Sequence, residues 1–281
     1  MTDKTVAIIT GAVGGMGQAC ARALGRRHRL FLNDLSAARL EECARSLTRE
    51  GHTVAGFAAG DLAAPDTATS LVGAARKTGP VGVVIHTAGL SPALADWEAI
   101  LVVNLVGTER LLQALEDDLE PGLAAVLIAS MAGHMTPAIA AVDALLGDPL
   151  APDLLRNVCP HLDFTNDCDD KFSVRGQAYG HSKRAVIRMC EARAGTWGAK
   201  GARIVSISPG VIRTPMGEAE IANNPPAGRV MEAAPMGRWG SVLDIAAAAE
   251  FLASDQASFI TGCDLRVDGG VTPFLASASG R

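Results

Sequence analysis

The stretch Val6-Ala7-Ile8-Ile9-Thr10-Gly11-Ala12-Val13-Gly14-Gly15-Met16-Gly17 carries the main fold signal of the chain. Val6 to Thr10 is a short apolar and β-branched run, as expected of a strand buried on both faces. Glycines then stand at 11, 15 and 17, and helical spacing runs from Gly15 to Arg27. Glycines allow a tight turn and close approach of the backbone to a ligand. The helix start behind them offers N–H groups and the positive end of a dipole. A glycine-rich loop alone can be an ordinary turn. Between a strand and a helix, it points to the pyrophosphate of a dinucleotide.

Moving outward, the same alternation repeats. Further strands are expected at Leu30–Asn33, Thr53–Ala58, Val81–His86, Ala125–Ala129, Arg203–Ser208 and Asp264–Val267. Helical patterns lie between them at Ala37–Glu50, Pro65–Lys77, Trp97–Leu119, Gln177–Gly198 and Val242–Ala253. Strand–helix alternation with right-handed crossovers predicts an α/β fold. The expected architecture is a doubly wound, Rossmann-type parallel sheet of seven strands flanked by helices, in one domain spanning 1–281. Asp34 closes the second strand, at the distance expected of a carboxylate that accepts hydrogen bonds from the adenosine ribose. Its charge would repel the extra phosphate of NADP. No Arg or Lys lies in the glycine loop or directly after Asp34, and Arg39 is a helical turn away, so NAD is the expected cofactor.

Composition narrows the function classes. With 48% apolar and 20% charged residues the chain reads as globular. A net charge of −5 offers no basic face for nucleic acid or a membrane surface. No apolar stretch approaches the roughly 20 residues of a spanning helix, and Met1-Thr2-Asp3-Lys4 lacks signal-peptide character, so a cytoplasmic location is expected. The six cysteines are scattered, as reduced thiols would be. Cys159-Pro160-His161 with Asp163, Asp167, Cys168, Asp169 and Asp170 raises a metal reading. It lacks recognised ligand spacing and is read as an acidic loop, with no metal expected.

Tyr179-Gly180-His181-Ser182-Lys183 holds the only tyrosine of the chain and places a lysine on the same helix face. A nearby cation favours the phenolate, and such a phenol can take a hydroxyl proton as hydride leaves the adjacent carbon. Together with the dinucleotide loop, this pair predicts an oxidoreductase acting on an alcohol or ketone.

These motifs resemble those of the short-chain dehydrogenases/reductases. The likeness includes the Thr-Gly-x-x-x-Gly-x-Gly loop, Asp61 after the third strand, His86-Thr87-Ala88-Gly89, Pro209-Gly210-Val211-Ile212-Arg213-Thr214 and Val267-Asp268-Gly269-Gly270. The first two residues of His86-Thr87-Ala88-Gly89 depart from the family's paired asparagines. The resemblance implies cofactor contacts from Gly11, Gly15, Met16, Gly17, Asp34, Asp61, Leu62, Ala88, Gly89, Tyr179, Lys183, Pro209, Gly210, Ile212 and Thr214. It implies a catalytic set of Asn104, Ser130, Tyr179 and Lys183. Ser130 would hold the substrate oxygen and Asn104 would keep a water in the proton path to the lysine. A homodimer or homotetramer is implied as well.

Two long stretches interrupt the alternation. His134 to Arg175 contains four prolines, seven aspartates and the apolar clusters Ile139–Leu146 and Leu154–Leu162; Met216 to Gly240 is rich in Gly, Pro and Met. Both are expected as walls of the active site, because they leave the carboxyl ends of strands. The gap between Ser130 and Tyr179, 49 positions, resembles the insertion of bacterial 3α-hydroxysteroid dehydrogenases. It implies a bulky, apolar or steroid-like secondary alcohol or ketone. The competing readings are an NADPH-dependent carbonyl or 3-oxoacyl reductase, against which Asp34 argues, and a silent dinucleotide sensor, which the complete tetrad opposes. An epimerase of the extended branch would space its glycines differently.

Overall fold

The computed structural model describes residues 4–162, 171–218 and 234–278. The strands are β1 (Val6–Thr10), β2 (Arg29–Asp34), β3 (Val54–Ala59), β4 (Val81–His86), β5 (Ala124–Ile128), β6 (Arg203–Pro209) and β7 (Asp264–Val267). They form one sheet in the order β3-β2-β1-β4-β5-β6-β7, with every pairing parallel. The winding reverses between β1 and β4, which opens a crevice at their carboxyl ends.

The helices are α1 (Gly15–Leu24), α2 (Ala37–Arg49), α3 (Thr67–Arg76), α4 (Trp97–Leu101), α5 (Gly107–Glu116), α6 (Met131–Met135), α7 (Ala140–Leu145), α8 (Leu154–Val158), α9 (Lys171–Ala199), α10 (Val242–Ala253) and α11 (Val271–Ala278). β1 shows how the two helix layers arise. All five of its residues are buried. Val6 and Ile8 belong to the core shared with α3, α4, α5 and α9, while Ala7 and Ile9 belong to the core shared with α1, α2 and α10. Period-two alternation in an apolar strand thus feeds two cores at once. On the first face Arg193 of α9 bridges Glu109 and Glu116 of α5 at 2.6 and 2.8 Å, and Trp197 Nε1 also donates to Glu116 at 2.8 Å. Among the described residues, no helix is long and apolar enough to cross a membrane.

Three expectations change. The helix expected over Trp97–Leu119 ends at Glu116 and is interrupted by a π-helical turn at Val102–Val106. The helix expected from Gln177 starts at Lys171. The third change concerns the insertion. None of its residues with described side chains, 134–162 and 174–175, lines the cleft that holds Tyr179. Val142, Leu146, Leu154, Val158 and Leu162 instead join the core on the α9 side of the sheet. Asp143 of α7 accepts from Arg184 Nε and Nη2 at 3.0 and 3.1 Å and from Arg188 Nη1 at 3.3 Å. Apolar residues on two short helices, with an acid facing two arginines, find their match on the α9 side of the sheet. Asp163, Asp167, Cys168, Asp169, Asp170 and 219–233 lie outside the described residues.

Candidate active site

The glycine loop is built by close approach. Gly11 has φ +63°, and a Cβ on it would lie 2.7 Å from Thr87 Oγ1 and 2.8 Å from Ala88 N. Only glycine fits both the backbone angle and the space. Gly17 seals α1 onto the loop, since a Cβ there would meet Gly11 O at 2.2 Å. Gly14 caps α1 without a side-chain hydrogen bond, and the first turn carries no acid. The helix start therefore keeps donors and a positive dipole end for an anion.

One half of the groove is lined by Gly11, Asp34, Arg39, Asp61, Leu62, Ala88 and Gly89. Each Asp34 oxygen is held by a backbone N–H: Oδ2 by Val13 at 3.1 Å and Oδ1 by Leu35 at 2.8 Å. The carboxylate keeps further lone pairs for ribose hydroxyls. Asp61 Oδ1 accepts from Ala63 N at 2.9 Å.

The second half is lined by Met16, Ser130, Tyr179, Lys183, Pro209, Gly210, Ile212 and Thr214. Thr87, Gly89, Leu90 and Met216 line both halves, so the two form one groove across the β1–β4 crevice. Met216 and Gly217, at the start of the second excursion, line this half as well. Thr214 Oγ1 accepts from Gly217 N at 3.0 Å, which leaves its own hydrogen available. A Cβ on Gly15 would stand 3.2 Å from Thr214 Cγ2, so the loop and the Thr214 segment face each other.

The tetrad converges from three elements. Tyr179 and Lys183 come from α9, with Nζ 5.8 Å from the Tyr179 ring centroid. Lys183 is buried, donates to Ile128 O at 2.8 Å, and has its pKa pulled down to about 8 by burial. Ser130 caps α6, and its Oγ accepts from Ala132 N at 3.2 Å. Its hydroxyl hydrogen can point into the cleft. α6 meets α9 at Gly133, where a Cβ would lie 2.8 Å from Arg184 N and 2.9 Å from Lys183 C. That contact sets Ser130 relative to Lys183, and it is a role the sequence did not reveal.

Asn104 sits in the π-turn. Its Oδ1 accepts from Leu90 N at 2.8 Å, and its Nδ2 donates to Leu90 O and Ser182 Oγ, both at 3.1 Å. The side chain therefore pins the loop after β4 to α9. Ser182, completely buried, is a second residue that sequence reasoning missed, although it adjoins Lys183 in the motif. His181, also buried, faces α7 rather than the cleft: Asp143 and Arg184 are the charges that act on it.

Comparison with known proteins shows which family has this fold and these motifs. Residues 5–142 match the short chain dehydrogenase family and residues 165–272 the family described as enoyl-(acyl carrier protein) reductase. A short-chain dehydrogenase/reductase of Alternaria brassicicola is 32% identical over 98% of both chains. The chain belongs to the short-chain dehydrogenase/reductase family. The D-threitol dehydrogenase of Mycolicibacterium smegmatis is 32% identical over 96% of this chain and 94% of its own. The crystal structure of a glucose/ribitol dehydrogenase-type member from Brucella melitensis shares the fold, with a TM-score of 0.74, 24% identity and 96% and 97% of the two chains covered. The protein is accordingly an oxidoreductase of alcohols and ketones that uses a nicotinamide dinucleotide, and the uncapped helix start behind Gly11 fits the pyrophosphate of that group.

Proposed function

We propose that this chain is an NAD(H)-dependent oxidoreductase that interconverts a secondary alcohol and a ketone, with Tyr179 as general acid/base. The observation that carries the cofactor choice is Asp34, a carboxylate held by Val13 and Leu35 N–H groups at the adenosine end of the groove. A fixed negative charge there receives ribose hydroxyls and repels a 2′-phosphate.

Bound NAD supplies the hydride acceptor. The remaining tasks fall to the chain. Ser130 Oγ, already accepting from Ala132 N, donates its hydrogen to the substrate oxygen and stabilises charge there. Lys183 brings a desolvated ammonium beneath the Tyr179 ring, where a positive charge acts strongly because water does not screen it. The phenol, favoured as phenolate by that charge, removes the hydroxyl proton during oxidation and returns it during reduction.

A bulky apolar alcohol is the proposed substrate class. Apart from Thr87, Ser130, Tyr179, Lys183 and Thr214, the described lining of this half is glycine, proline, alanine, leucine, isoleucine, valine and methionine. No carboxylate or amide stands among them to bind the extra hydroxyls of a sugar alcohol. The D-threitol-oxidising relative supports a small polyol as the second reading. The reading also includes a homodimer or homotetramer in the cytoplasm, with light scattering as the check on mass.

The test is oxidation of a panel of cyclic, steroidal and polyol secondary alcohols with NAD and with NADP, followed by absorbance of the reduced cofactor. NAD should be preferred strongly in kcat/KM, and Asp34→Ala should narrow the preference. Equal efficiency with both cofactors in the wild type would remove the role given to Asp34.

A further inference from the structure

Beside the reacting groups runs a buried chain of hydrogen bonds that proton removal by Tyr179 does not use. His86, the last residue of β4, is 3% exposed. Its Nδ1 stands 2.7 Å from Thr10 Oγ1 and its Nε2 stands 2.8 Å from Thr108 Oγ1. The outer partners determine which nitrogen carries the proton. Thr108 Oγ1 lies 2.7 Å from the Asn104 carbonyl oxygen, which can only accept, so the Thr108 hydrogen is committed there. Thr108 must then accept from His86, and Nε2 carries the proton. With the proton on Nε2, Nδ1 of the neutral ring can only accept, so Thr10 Oγ1, which also accepts from Ala88 N at 3.4 Å, donates its hydrogen to His86 Nδ1. The Thr108 end fixes this neutral tautomer, and the Thr10 end accommodates it. Burial, aided by the Lys183 ammonium, pushes the imidazole pKa down to about 3 and keeps it neutral in the working range.

This relay joins the end of β1, the Ala88–Gly89 turn that lines the cofactor groove and the carbonyl in the π-turn. Those parts crowd the catalytic lysine. A Cβ on Gly89 would stand 3.1 Å from Asn104 Oδ1 and 3.4 Å from Lys183 Nζ. A small slip of the π-turn against the Gly89 turn therefore moves the seat of the ammonium, and misplacement of that size is costly in a reacting geometry.

We propose that His86 is a positioning residue for the oxidoreductase reaction: through Thr10 and Thr108 it locks the cofactor turn to the Asn104 π-turn and so sets Lys183 beneath Tyr179. The role rests on the reading of Tyr179 and Lys183 as the reacting pair.

Thr108→Val keeps the shape of the side chain and removes only its hydrogen bonds. In this variant and in His86→Asn, kcat for secondary-alcohol oxidation should fall about tenfold while the Kd for NADH stays within about twofold. The midpoint of the pH–rate profile should move with it. His86→Gln, whose amide nitrogen can reach the position of Nε2, should recover most of the lost kcat. Assays run well below each variant's melting temperature separate this effect from unfolding. A folded Thr108→Val enzyme with unchanged kcat and unchanged pH midpoint would reduce His86 to a packing role and overturn the proposal. Nitrogen NMR of the imidazole, which needs no substrate, should report the Nε2–H tautomer. The Nδ1–H form would reject the relay itself. The Nε2–H form, with no turnover of any secondary alcohol or ketone, would instead reject the reaction and, with it, the role given to His86.

Discussion

Tyr179 is half-buried in the groove, one helical turn before a lysine that is almost completely enclosed. Taking an ammonium out of water disfavours its charge, which is why Lys183 titrates near 8 rather than at its ordinary value. The same desolvation strengthens its pull on the phenol. Alcohol oxidation by the wild type should become faster with rising pH, as the base form of Tyr179 becomes more populated. Tyr179→Phe should bind NADH nearly as well, lose turnover by about 10²–10⁴, and lose that rise with pH. Turnover within threefold of wild type would remove Tyr179 from the reaction. At this scale the two reacting residues were legible because i and i+4 on a helix guarantee a shared face. The lowered lysine pKa was not legible, because burial depends on β5 supplying Ile128 O and on the Gly89 turn closing over the side chain.

Elements meet in the active site where side chains are smallest. α6 reaches α9 through Gly133, and a Cβ there would press on the α9 backbone at Lys183 and Arg184. Gly133→Ala should push Ser130 away from Tyr179 and Lys183, lowering kcat by about tenfold or more. The overpacked contact should also cost about 1–3 kcal/mol of stability in a denaturant titration. A kcat within twofold of wild type, measured on folded protein, would show that Ser130 does not depend on this contact. The π-turn at Val102–Val106 acts at the same scale. It separates α4 from α5 and contains Asn104, whose carbonyl accepts the Thr108 hydroxyl from one turn on. Spacing of apolar residues predicts a helix over this stretch, but it does not register a single-residue change in the hydrogen-bond ladder.

Two features act on the whole molecule. The described insertion is tied to α9 by Asp143, whose carboxyl is held below the usual range chiefly by its hydrogen bond from Arg184. Asp143→Ala should cost about 2 kcal/mol, as expected for removing a charge-assisted hydrogen-bond partner, while leaving selectivity among alcohols unchanged. Altered selectivity with unaltered stability would return the insertion to the substrate wall. The second feature is acid sensitivity. His86 stays neutral in the folded chain down to about pH 3, whereas the unfolded chain binds a proton near 6.5. Between those values the unfolded state holds more protons, so stability falls as the pH falls. At pH 5 this loss amounts to about 2 kcal/mol from His86. Burial also lowers His28 and His181, which adds loss of the same sign. His86→Gln should therefore show a smaller drop in melting temperature between pH 7 and pH 5 than the wild type. An equal drop in both proteins would contradict the buried neutral imidazole.

The sequence by itself determined the parallel seven-stranded sheet, the glycine loop with Asp34, and the Tyr179–Lys183 pair. Each of these is written in local periodicity or in a turn that few residue types can make. Tertiary structure decided what depends on distant parts meeting. His86 and Thr87 stood out in the chain only as departures from a family pattern. Their partners Thr10 and Thr108 lie 76 and 22 positions away from His86, and no local pattern links them. The insertion shows the same limit. Its apolar clusters announce that they will be buried, but the hydrophobic effect is non-directional, and the sequence alone did not show that α9 rather than a substrate would cover them.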